Sequence, residues 1–500
     1  MWKQITPSNF SWEQEALAFL RQELPDHEPY RAWANFEFID QNGSINEVDA
    51  LVLTPKGLFL IEIKSHPGEI SGDAGTWVWT MPDGRRRPFD NPRVLADRKA
   101  KKLASLLKSQ RAALKGKAGI PFISTVVFLS AKDVKNRLQG PARQQVYTRD
   151  NLLAGLKTID ADWRHAKLDR PTSKAVSRAM EEAGVKESAR SRRVGLYELE
   201  ELSDESDTFQ DWIAKHSETG VERLIRIYLT YGRPAEEVQL LQKAAKREFK
   251  LLEGVSHPAI ERALDYQQHE QGPALVFERD PDAQRLDHYL ASLETHEHLG
   301  ILDAIELVRC IAESLRYAHG QKLFHRALSP QSIYVKRTLE DGFSIKIGNW
   351  YTGDRSFEAE QNQVTRLSRM TCLIQEESGP YMALEGYATE DSDAVYLDVF
   401  SLGAISYLLF SGSAPAASGL ELQDKLSHGT GLQISDALNG AGKALQDLIQ
   451  YATQSIGRIN RLLPTKAPNQ NTYHHDTLTL RRLPTTTHSL FDAPAATHQP

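Results

Sequence analysis

Cysteine is scarce in this sequence and long apolar runs are absent. The 500 residues include two cysteines, Cys310 and Cys372, with no Cys-x-x-Cys pair and no zinc-site spacing of Cys and His. This excludes a disulfide-stapled scaffold and a zinc ribbon, and favours a reducing compartment. No stretch approaches the roughly 18 apolar residues of a membrane span, and the first residues lack the apolar core of a signal peptide. We therefore expect a cytoplasmic protein without a membrane partner.

An excess of positive charge is also absent. The formal net charge of −6 excludes a wholly basic nucleic-acid binder, but it leaves room for a local basic face. A chain of this length is too long for one hydrophobic core and suits two or three domains.

The first part of the chain carries the patterns of an α/β domain. Helical spacing of apolar residues predicts helices over 11–24 and over 92–115, the second with an apolar face that runs from Ala96 to Leu114. Two β-rich runs separated by Pro55 and Gly57 predict a hairpin. The unbroken apolar run 122–130 predicts a central strand covered on both faces. We expect a central mixed sheet with flanking helices over residues 10–158.

Three further segments follow. The charged, partly periodic stretch 159–193 predicts a partly helical linker, and a second domain is expected over 194–455. Residues 456–500 are rich in Thr, Pro and His without hydrophobic periodicity, which predicts a disordered tail.

Asp49, Glu62 and Lys64 form the first candidate site. Glu62 and Lys64 are two residues apart on one strand and share a face, while Asp49 lies on the partner strand of the hairpin. Two carboxylates on adjacent strands can hold one Mg²⁺, and Lys64 would orient a metal-activated water or stabilise developing charge. The alternative is a cross-strand Glu–Lys pair on a solvated face, which contributes little.

The segments 46–53 and 57–64 (NEVDALVL and GLFLIEIK) resemble the core of the nuclease-related domain, NERD, of the PD-(D/E)xK nuclease fold. The resemblance implies a metal-dependent nuclease site at Asp49, Glu62 and Lys64, with Asp49 and Glu62 as ligands of a Mg²⁺ cofactor. It also implies an assisting helix glutamate, which matches Glu13. Leu95 stands where the family often has Gln, which removes one peripheral contact.

A basic stretch lies between Arg85 and Lys117. It contains twelve Lys or Arg and two acidic residues. A solvated helix face usually mixes both signs, so this bias favours contacts with phosphates of DNA; an ordinary basic helix is the alternative. The expected nucleic-acid-binding residues are Lys99, Lys101, Lys102, Lys108 and Arg111.

The second domain resembles a protein kinase. Residues 325–335 (HRALSPQSIYV) resemble the catalytic loop, and residues 345–350 (IKIGNW) fall where the metal-binding motif belongs. Arg247-Glu248 is expected to begin a helix like the kinase C-helix. The resemblance implies an α+β bilobal fold, expected to be incomplete at its C-terminus.

The residues that kinases use for catalysis are replaced. His325 and Arg326 of the loop are kept. Ala327 stands in the place of the catalytic base, and Ser332 stands in the place of the second metal ligand. Asn349 replaces the metal-binding Asp of kinases. Arg226 replaces the lysine of the third strand, which in kinases pairs with the glutamate that matches Glu248. Asp204, Ser206 and Phe209 occupy the places of the phosphate-loop glycines, where side chains block backbone approach to phosphates. We interpret the domain as a pseudokinase and expect no nucleotide-binding residues and no ATP.

NERD followed by a kinase-like domain resembles the PglW-type proteins of the BREX and phage-growth-limitation defence systems. The resemblance implies a nucleic-acid-directed bacterial defence factor that binds DNA and other phage-defence proteins. Two alternatives remain at this point, an active Ser/Thr kinase and a non-catalytic DNA-binding scaffold.

Overall fold

The computed structural model describes most of the chain in two domains. The residues it does not describe are 7–10, 116–118, 159–167, 186–191, 294–298, 341, 356–375, 386–393, 428–430, 439 and 456–500. Cys372 and the tail predicted for 456–500 therefore lie outside the described residues.

A six-stranded mixed sheet forms the centre of the first domain, in the order β1-β2-β3-β4-β8-β10. A smaller sheet, in the order β7-β6-β5-β9, lies beside it. The strands are β1 (Trp2–Gln4), β2 (Arg31–Ile39), β3 (Ile45–Thr54), β4 (Gly57–Lys64), β5 (Glu69–Gly72), β6 (Thr76–Thr80), β7 (Arg86–Asp90), β8 (Ile123–Leu129), β9 (Lys135–Asn136) and β10 (Val146–Thr148). The predicted hairpin is β3–β4, closed by the pair Thr54 and Gly57, and β8 is buried along its length between β4 and β10.

Helices cover both faces of this sheet. They are α1 (Ser11–Glu23), α2 (Pro92–Lys108), α3 (Arg111–Lys115), α4 (Leu152–Thr158) and α5 (Arg170–Glu182). Apolar residues of α1 and α4 pack against the face that carries Ile61 and Ile63. Those of α2 and α5 pack against the face that carries Leu58 and Leu60. The stretch predicted as a linker thus contains a helix, α5, that joins the core of the first domain.

One helix predicted over 92–115 is two helices. Helix α2 ends at Lys108 and α3 begins at Arg111. The break at Ser109 and Gln110 rotates α3 away from the apolar stripe of α2. Leu114, which we expected on the apolar face, is consequently 72% exposed, so that part of the prediction is wrong.

The second domain has the two lobes of a kinase fold. Its small lobe is an antiparallel sheet, β11-β12-β13-β14-β16-β15, with one long helix. These elements are β11 (Arg193–Val194), β12 (Tyr197–Glu205), β13 (Phe209–His216), β14 (Glu222–Tyr228), α6 (Ala235–Leu252), β15 (Ala263–His269) and β16 (Gly272–Glu278). Helix α6 begins at Ala235, so Glu248 lies in its last two turns. The prediction that Arg247-Glu248 begins this helix is therefore wrong.

The large lobe is mostly helical. Its elements are β17 (Gln284–Arg285), α7 (Leu286–Ser292), α8 (Ile301–Gly320), β18 (Leu323–Phe324), β19 (Ile333–Arg337), β20 (Phe343–Ile347), β21 (Asp354–Arg355), α9 (Ala394–Ser411), α10 (Gly419–Ser427) and α11 (Lys443–Ala452). Within the described residues, α9 alone is long and apolar enough to pass a membrane-span test, and 67% of it is buried inside the lobe, as expected of a core helix.

Buried contacts join the first domain to the small lobe. Ile45, at the start of β3, packs into the hydrophobic cluster of the small-lobe sheet. Its N–H donates to Oε1 of Gln210 at 3.1 Å, and Nε2 of Gln210 donates to the carbonyl of Ile45 at 3.0 Å. Arg192 reaches back to Glu47 at 2.9 Å.

The first domain also contacts the segment that follows the small lobe. Arg285 and His288 bind the carboxylate of Asp90 at 2.8 and 3.0 Å. Asp90, Asp287 and His288 come within 4.8 Å of one another as a ligand set would. Arg285, however, is ion-paired to both carboxylates, so a guanidinium already neutralises this group. The first domain is thus fixed to both sides of the kinase-like cleft.

Candidate functional site

The β3–β4 hairpin brings the predicted nuclease residues together. The register pairs Ala50 with Ile61, which places Asp49 beside Glu62 on the next strand. The Oδ2 atom of Asp49 accepts a hydrogen bond from the N–H of Ile63 at 2.6 Å. Ile61 and Ile63 lie in the core on one face of the sheet, so Glu62 and Lys64 share the opposite face because side chains alternate along a strand.

Glu62 is buried between two lysines. Its Oε1 atom binds Nζ of Lys64 at 3.0 Å, and its Oε2 atom binds Nζ of Lys99 at 3.0 Å. The Glu62 side chain is 7% exposed and that of Lys64 is 28% exposed, so the cluster opens to solvent on the Lys64 side. Lys99 comes from α2, which packs against this face of the sheet. Lys99 therefore belongs to this site, which the sequence had not indicated.

The two carboxylates differ in protonation. Burial and the neighbouring Glu62 charge raise the pKa of Asp49 well above its usual range. Burial would also raise the pKa of Glu62, but Lys99 and Lys64 outweigh it and hold that pKa at about 2. Glu62 is thus always ionised near neutral pH, whereas Asp49 resists ionisation. A divalent cation between them would remove the repulsion that raises the Asp49 pKa.

The donor set fits such a cation under one condition. Asp49 and Glu62 supply hard oxygen ligands, which Mg²⁺ prefers. Each oxygen of Glu62 already accepts from an ammonium group, so a metal would compete there with a lysine, and Lys99 is the one away from the open side. Glu13 is buried in the first turn of α1, on the helix face that packs under Ile61 and Ile63, and its assisting role stays a prediction.

The basic residues of α2 and α3 fall into two groups. Lys101, Lys108 and Arg111 are exposed. Lys99 is 8% exposed and paired with Glu62. Lys102 is paired at 3.0 Å with Glu205 of the kinase-like domain. The exposed three remain accessible to a ligand, and their contact with phosphates stays a prediction, while Lys99 and Lys102 make contacts within the protein.

Arg226 fills the kinase-like cleft with ion pairs. It binds Glu248 of α6 at 2.9 Å, as the third-strand lysine of a kinase would. It also binds both oxygens of Asp211, at 2.8 and 2.6 Å, and Oδ1 of Asn349 at 2.7 Å. Tyr228 donates to the second oxygen of Glu248 at 2.6 Å. All the carboxylate oxygens of Asp211 and Glu248 thus have donors.

Aromatic rings surround this network. The Arg226 guanidinium lies 4.5 Å from the ring centre of Phe209 and 4.8 Å from that of Tyr351. Phe209 stands at a former phosphate-loop glycine, and Tyr351 stands in the former metal motif. Both rings are buried, so side chains occupy the space that backbone N–H groups and phosphates would share.

The loop that resembles the catalytic loop keeps its supports and has lost its base. Asp398 accepts from the backbone N–H groups of His325 and Arg326 at 3.0 and 2.6 Å, which fixes the loop. Ala327 is buried and offers no proton acceptor. At the former metal-ligand position, Ser332 is buried with its hydroxyl 3.4 Å from that of Ser329.

Glu261 is a buried acid beside the cleft that the sequence did not single out. Burial, reinforced by Glu248 and Asp211, raises its pKa to about 8. A Cβ on Gly348 would lie 2.9 Å from its Oε2 atom, which explains the glycine before Asn349. Glu261 is therefore protonated in the folded protein at neutral pH.

Comparison with known proteins assigns both domains. The nuclease-related domain, NERD, matches residues 8–129, and the protein kinase domain matches residues 231–451. The chain therefore consists of a NERD domain followed by a protein-kinase-fold domain, which confirms the resemblance of both segments.

Two relatives show how much of larger proteins this chain represents. It is 36% identical over 474 residues to "Probable kinase PglW" of Streptomyces coelicolor, which covers 90% of this chain and 30% of that protein. It is 25% identical over 226 residues to "Serine/threonine-protein kinase SIK3 homolog" of Danio rerio, which covers 45% of this chain and 17% of that protein. The chain thus spans less than a third of either relative.

Proposed function

We propose that this chain, a NERD domain followed by a kinase-fold domain, is a DNA-directed defence factor with a metal-dependent phosphodiesterase site at Asp49, Glu62 and Lys64. The observation that carries the proposal is the pair of adjacent carboxylates, Asp49 and Glu62, on the β3–β4 hairpin. Burial, and then the charge of the neighbouring Glu62, raise the pKa of Asp49. Such perturbed carboxylates in a partly open site are typical of functional sites.

Each residue of the site has a distinct role in this mechanism. Asp49 and Glu62 would hold Mg²⁺, which when bound polarises the phosphodiester and activates water. The backbone N–H of Ile63 fixes the orientation of the Asp49 carboxylate. Lys64, the more exposed lysine of the cluster, would neutralise the charge that develops on the phosphate as water attacks.

Lys99 sets the resting state of the site. Its ammonium group keeps Glu62 ionised and paired without metal. If Oε2 of Glu62 were a metal ligand, the ion would compete with Lys99 for it, while Lys64 holds Oε1. Metal affinity is therefore reduced by the free energy of breaking that buried ion pair.

We propose that the kinase-like domain does not transfer phosphoryl groups and instead serves docking or regulation. Phosphoryl transfer needs a base on the acceptor and Mg²⁺ on the nucleotide phosphates, and here these positions are Ala327, Ser332 and Asn349. Asn349 is occupied as an acceptor for Arg226. The word "kinase" in the name of the PglW relative favours the alternative of an active Ser/Thr kinase, which these contacts oppose.

The similarity to PglW supports a role in phage-growth-limitation defence. In that setting, other defence proteins would be the partners of the kinase-like domain. The cytoplasm, where phage DNA is met, is the compartment that the cysteine usage favours.

The proposal is tested by incubating plasmid DNA with the purified chain in Mg²⁺ or Mn²⁺. Wild-type protein should cleave, and Asp49→Asn and Glu62→Gln should not, because each removes a metal ligand. Glu69→Gln is the matched control, since Glu69 is a partly exposed carboxylate in the same domain, paired with Arg137. Equal cleavage by Asp49→Asn and wild type would contradict the assignment of the site.

A further inference from the structure

The end of β12, where the chain turns toward β13, contacts helix α2 of the NERD domain. Nζ of Lys102 binds Oε2 of Glu205 at 3.0 Å. One turn earlier on the same helix, Arg98 donates to the backbone carbonyl of Glu205 at 2.9 Å. Gln210 shares the same Glu205 oxygen at 3.1 Å and is itself bound to the backbone of Ile45. The contact is thus built into the domain interface.

Glu205 is an unusual residue to bury there. Its side chain is 2% exposed, yet Oε1 has no hydrogen-bond partner among the described residues. A buried carboxylate needs a cation and full hydrogen bonding to offset its desolvation. Because Oε1 is unsatisfied, burying Glu205 is costly, and that cost is relieved if the carboxylate moves out to solvent, so the contact with Lys102 can be exchanged.

The chemistry of the loop resembles that of a polyanion. Residues 204–207, which we call the acidic loop, read Asp-Glu-Ser-Asp and replace a segment that binds phosphates in kinases. Here the relation is inverted, because the loop presents the carboxylate of Glu205 to a basic side chain, Lys102. Lys102 lies on α2, which also carries the exposed Lys101 and Lys108, and the exposed Arg111 follows on α3.

We propose that the acidic loop is an intramolecular competitor of nucleic acid for helix α2. With the loop in place, Lys102 is engaged and the phosphate-binding face of α2 and α3 is limited to its exposed residues. When DNA phosphates replace Glu205, Lys102 joins that face. The degenerate phosphate loop of the kinase-like domain thereby regulates DNA binding by the NERD domain, and this rests on the DNA binding proposed above.

The test measures the affinity of the full chain for a duplex oligonucleotide by fluorescence anisotropy between about 50 and 200 mM salt. Glu205→Gln should bind more tightly than wild type. When the salt is lowered over that range, the affinity of Glu205→Gln should rise by a factor roughly three to four times larger than that of wild type. The reason is that one added phosphate contact steepens the slope of log affinity against log salt by about 0.9. Glu201→Gln removes an equal charge from an exposed position of β12, and should leave the slope unchanged.

Lys102→Met keeps the test decisive if Glu205→Gln does not fold. In the wild-type chain it should flatten the slope less than Lys101→Met does, because Glu205 competes with the phosphates for Lys102. In the Glu205→Gln chain it should reverse the gain. If Lys102→Met weakens wild-type binding as much as Lys101→Met does, the competition is wrong and DNA binding stands. If none of these proteins binds DNA, the proposed nucleic-acid function falls as well.

Discussion

Two buried charge clusters, one in each domain, differ in how completely their carboxylate oxygens are hydrogen-bonded. In the kinase-like cleft, Arg226 gives donors to both oxygens of Asp211 and shares Glu248 with Tyr228. Aromatic rings close over it. In the NERD domain, Asp49 lies beside another carboxylate and its pKa is raised.

The difference separates a structural network from a candidate reactive site. A saturated cluster gains little from a ligand, because each carboxylate oxygen already has a donor. A cluster with one open side, in which the buried Asp49 lies beside the ionised Glu62, gains from a cation. The saturated cluster thus lies in the kinase-like domain, and the unsaturated cluster lies in the NERD domain.

Removing Arg226 should have the largest effect. Arg226→Met leaves Asp211 and Glu248 buried without their cation, which costs roughly 3–5 kcal/mol. Hydrogen exchange in β13, β14 and α6 would report this loss of stability domain by domain. Arg226→Lys keeps the charge but loses the fork that reaches three partners, so its loss should be smaller. Unchanged exchange in Arg226→Met would contradict a structural role.

Glu261 should show the next largest effect, with a defined pH dependence. Its folded pKa of about 8 lies above the ordinary value of 4.5, so the folded state holds a proton that the unfolded state releases. Stability therefore falls as pH rises from about 4.5 to about 8. Glu261→Gln removes the free-energy cost of keeping this carboxyl protonated. It should therefore stabilise the domain by roughly 3 kcal/mol at pH 7 and leave its stability unchanged at pH 4.

Thermal melts at both pH values would measure the Glu261 effect. Glu253→Gln, at an exposed position after α6, is the matched control and should change neither melt. A stabilisation by Glu261→Gln that is equal at pH 4 and pH 7 would contradict a buried, protonated Glu261.

Removing Lys99 should change the metal affinity of the NERD site. Lys99→Met frees Oε2 of Glu62, so affinity for Mn²⁺ should rise at least tenfold, which is about 1.4 kcal/mol. Calorimetric titration would measure it, with Lys101→Met, an exposed lysine of the same helix, as the control. If metal affinity falls in Lys99→Met, Lys99 supports the metal site and does not compete with it.

The smallest effects belong to the exposed basic residues. Reversing the charge of any one of Lys101, Lys108 and Arg111 should flatten the salt dependence of DNA binding by about 0.9. The three effects should add, because the side chains are separate. A salt slope that does not change in the triple variant would make this surface an ordinary solvated face.

Much of the fold could be predicted from the sequence, because it depends on local periodicity. The alternation at Glu62 and Lys64 against Ile61 and Ile63 placed the site on one face of a hairpin, as found. The break between α2 and α3 was missed because Leu114 continues the helical spacing across Ser109 and Gln110, and spacing alone does not show where a helix ends.

The position of Lys99 in the sequence does indicate that it is buried. Ala96, Lys99, Ala100 and Leu103 follow the 3.6-residue period of a buried stripe, and a lysine on such a stripe requires a buried carboxylate. The contacts of Asp211 with Arg226 and of Glu205 with Lys102 had no such signal. Glu205 and Lys102 are 103 residues apart in sequence, and no local pattern links them.

One pair of titrations on the full chain tests the central claim, that the NERD site binds a ligand and the kinase-like cleft does not. Wild-type protein should bind Mn²⁺, and Asp49→Asn should not. ATP added with Mg²⁺ should shift the melting temperature of neither protein, although a nucleotide at about 100 times its Kd would add roughly 2.7 kcal/mol of stability. Stabilisation by ATP that persists in Asp49→Asn, with no Mn²⁺ binding by wild type, would contradict the account.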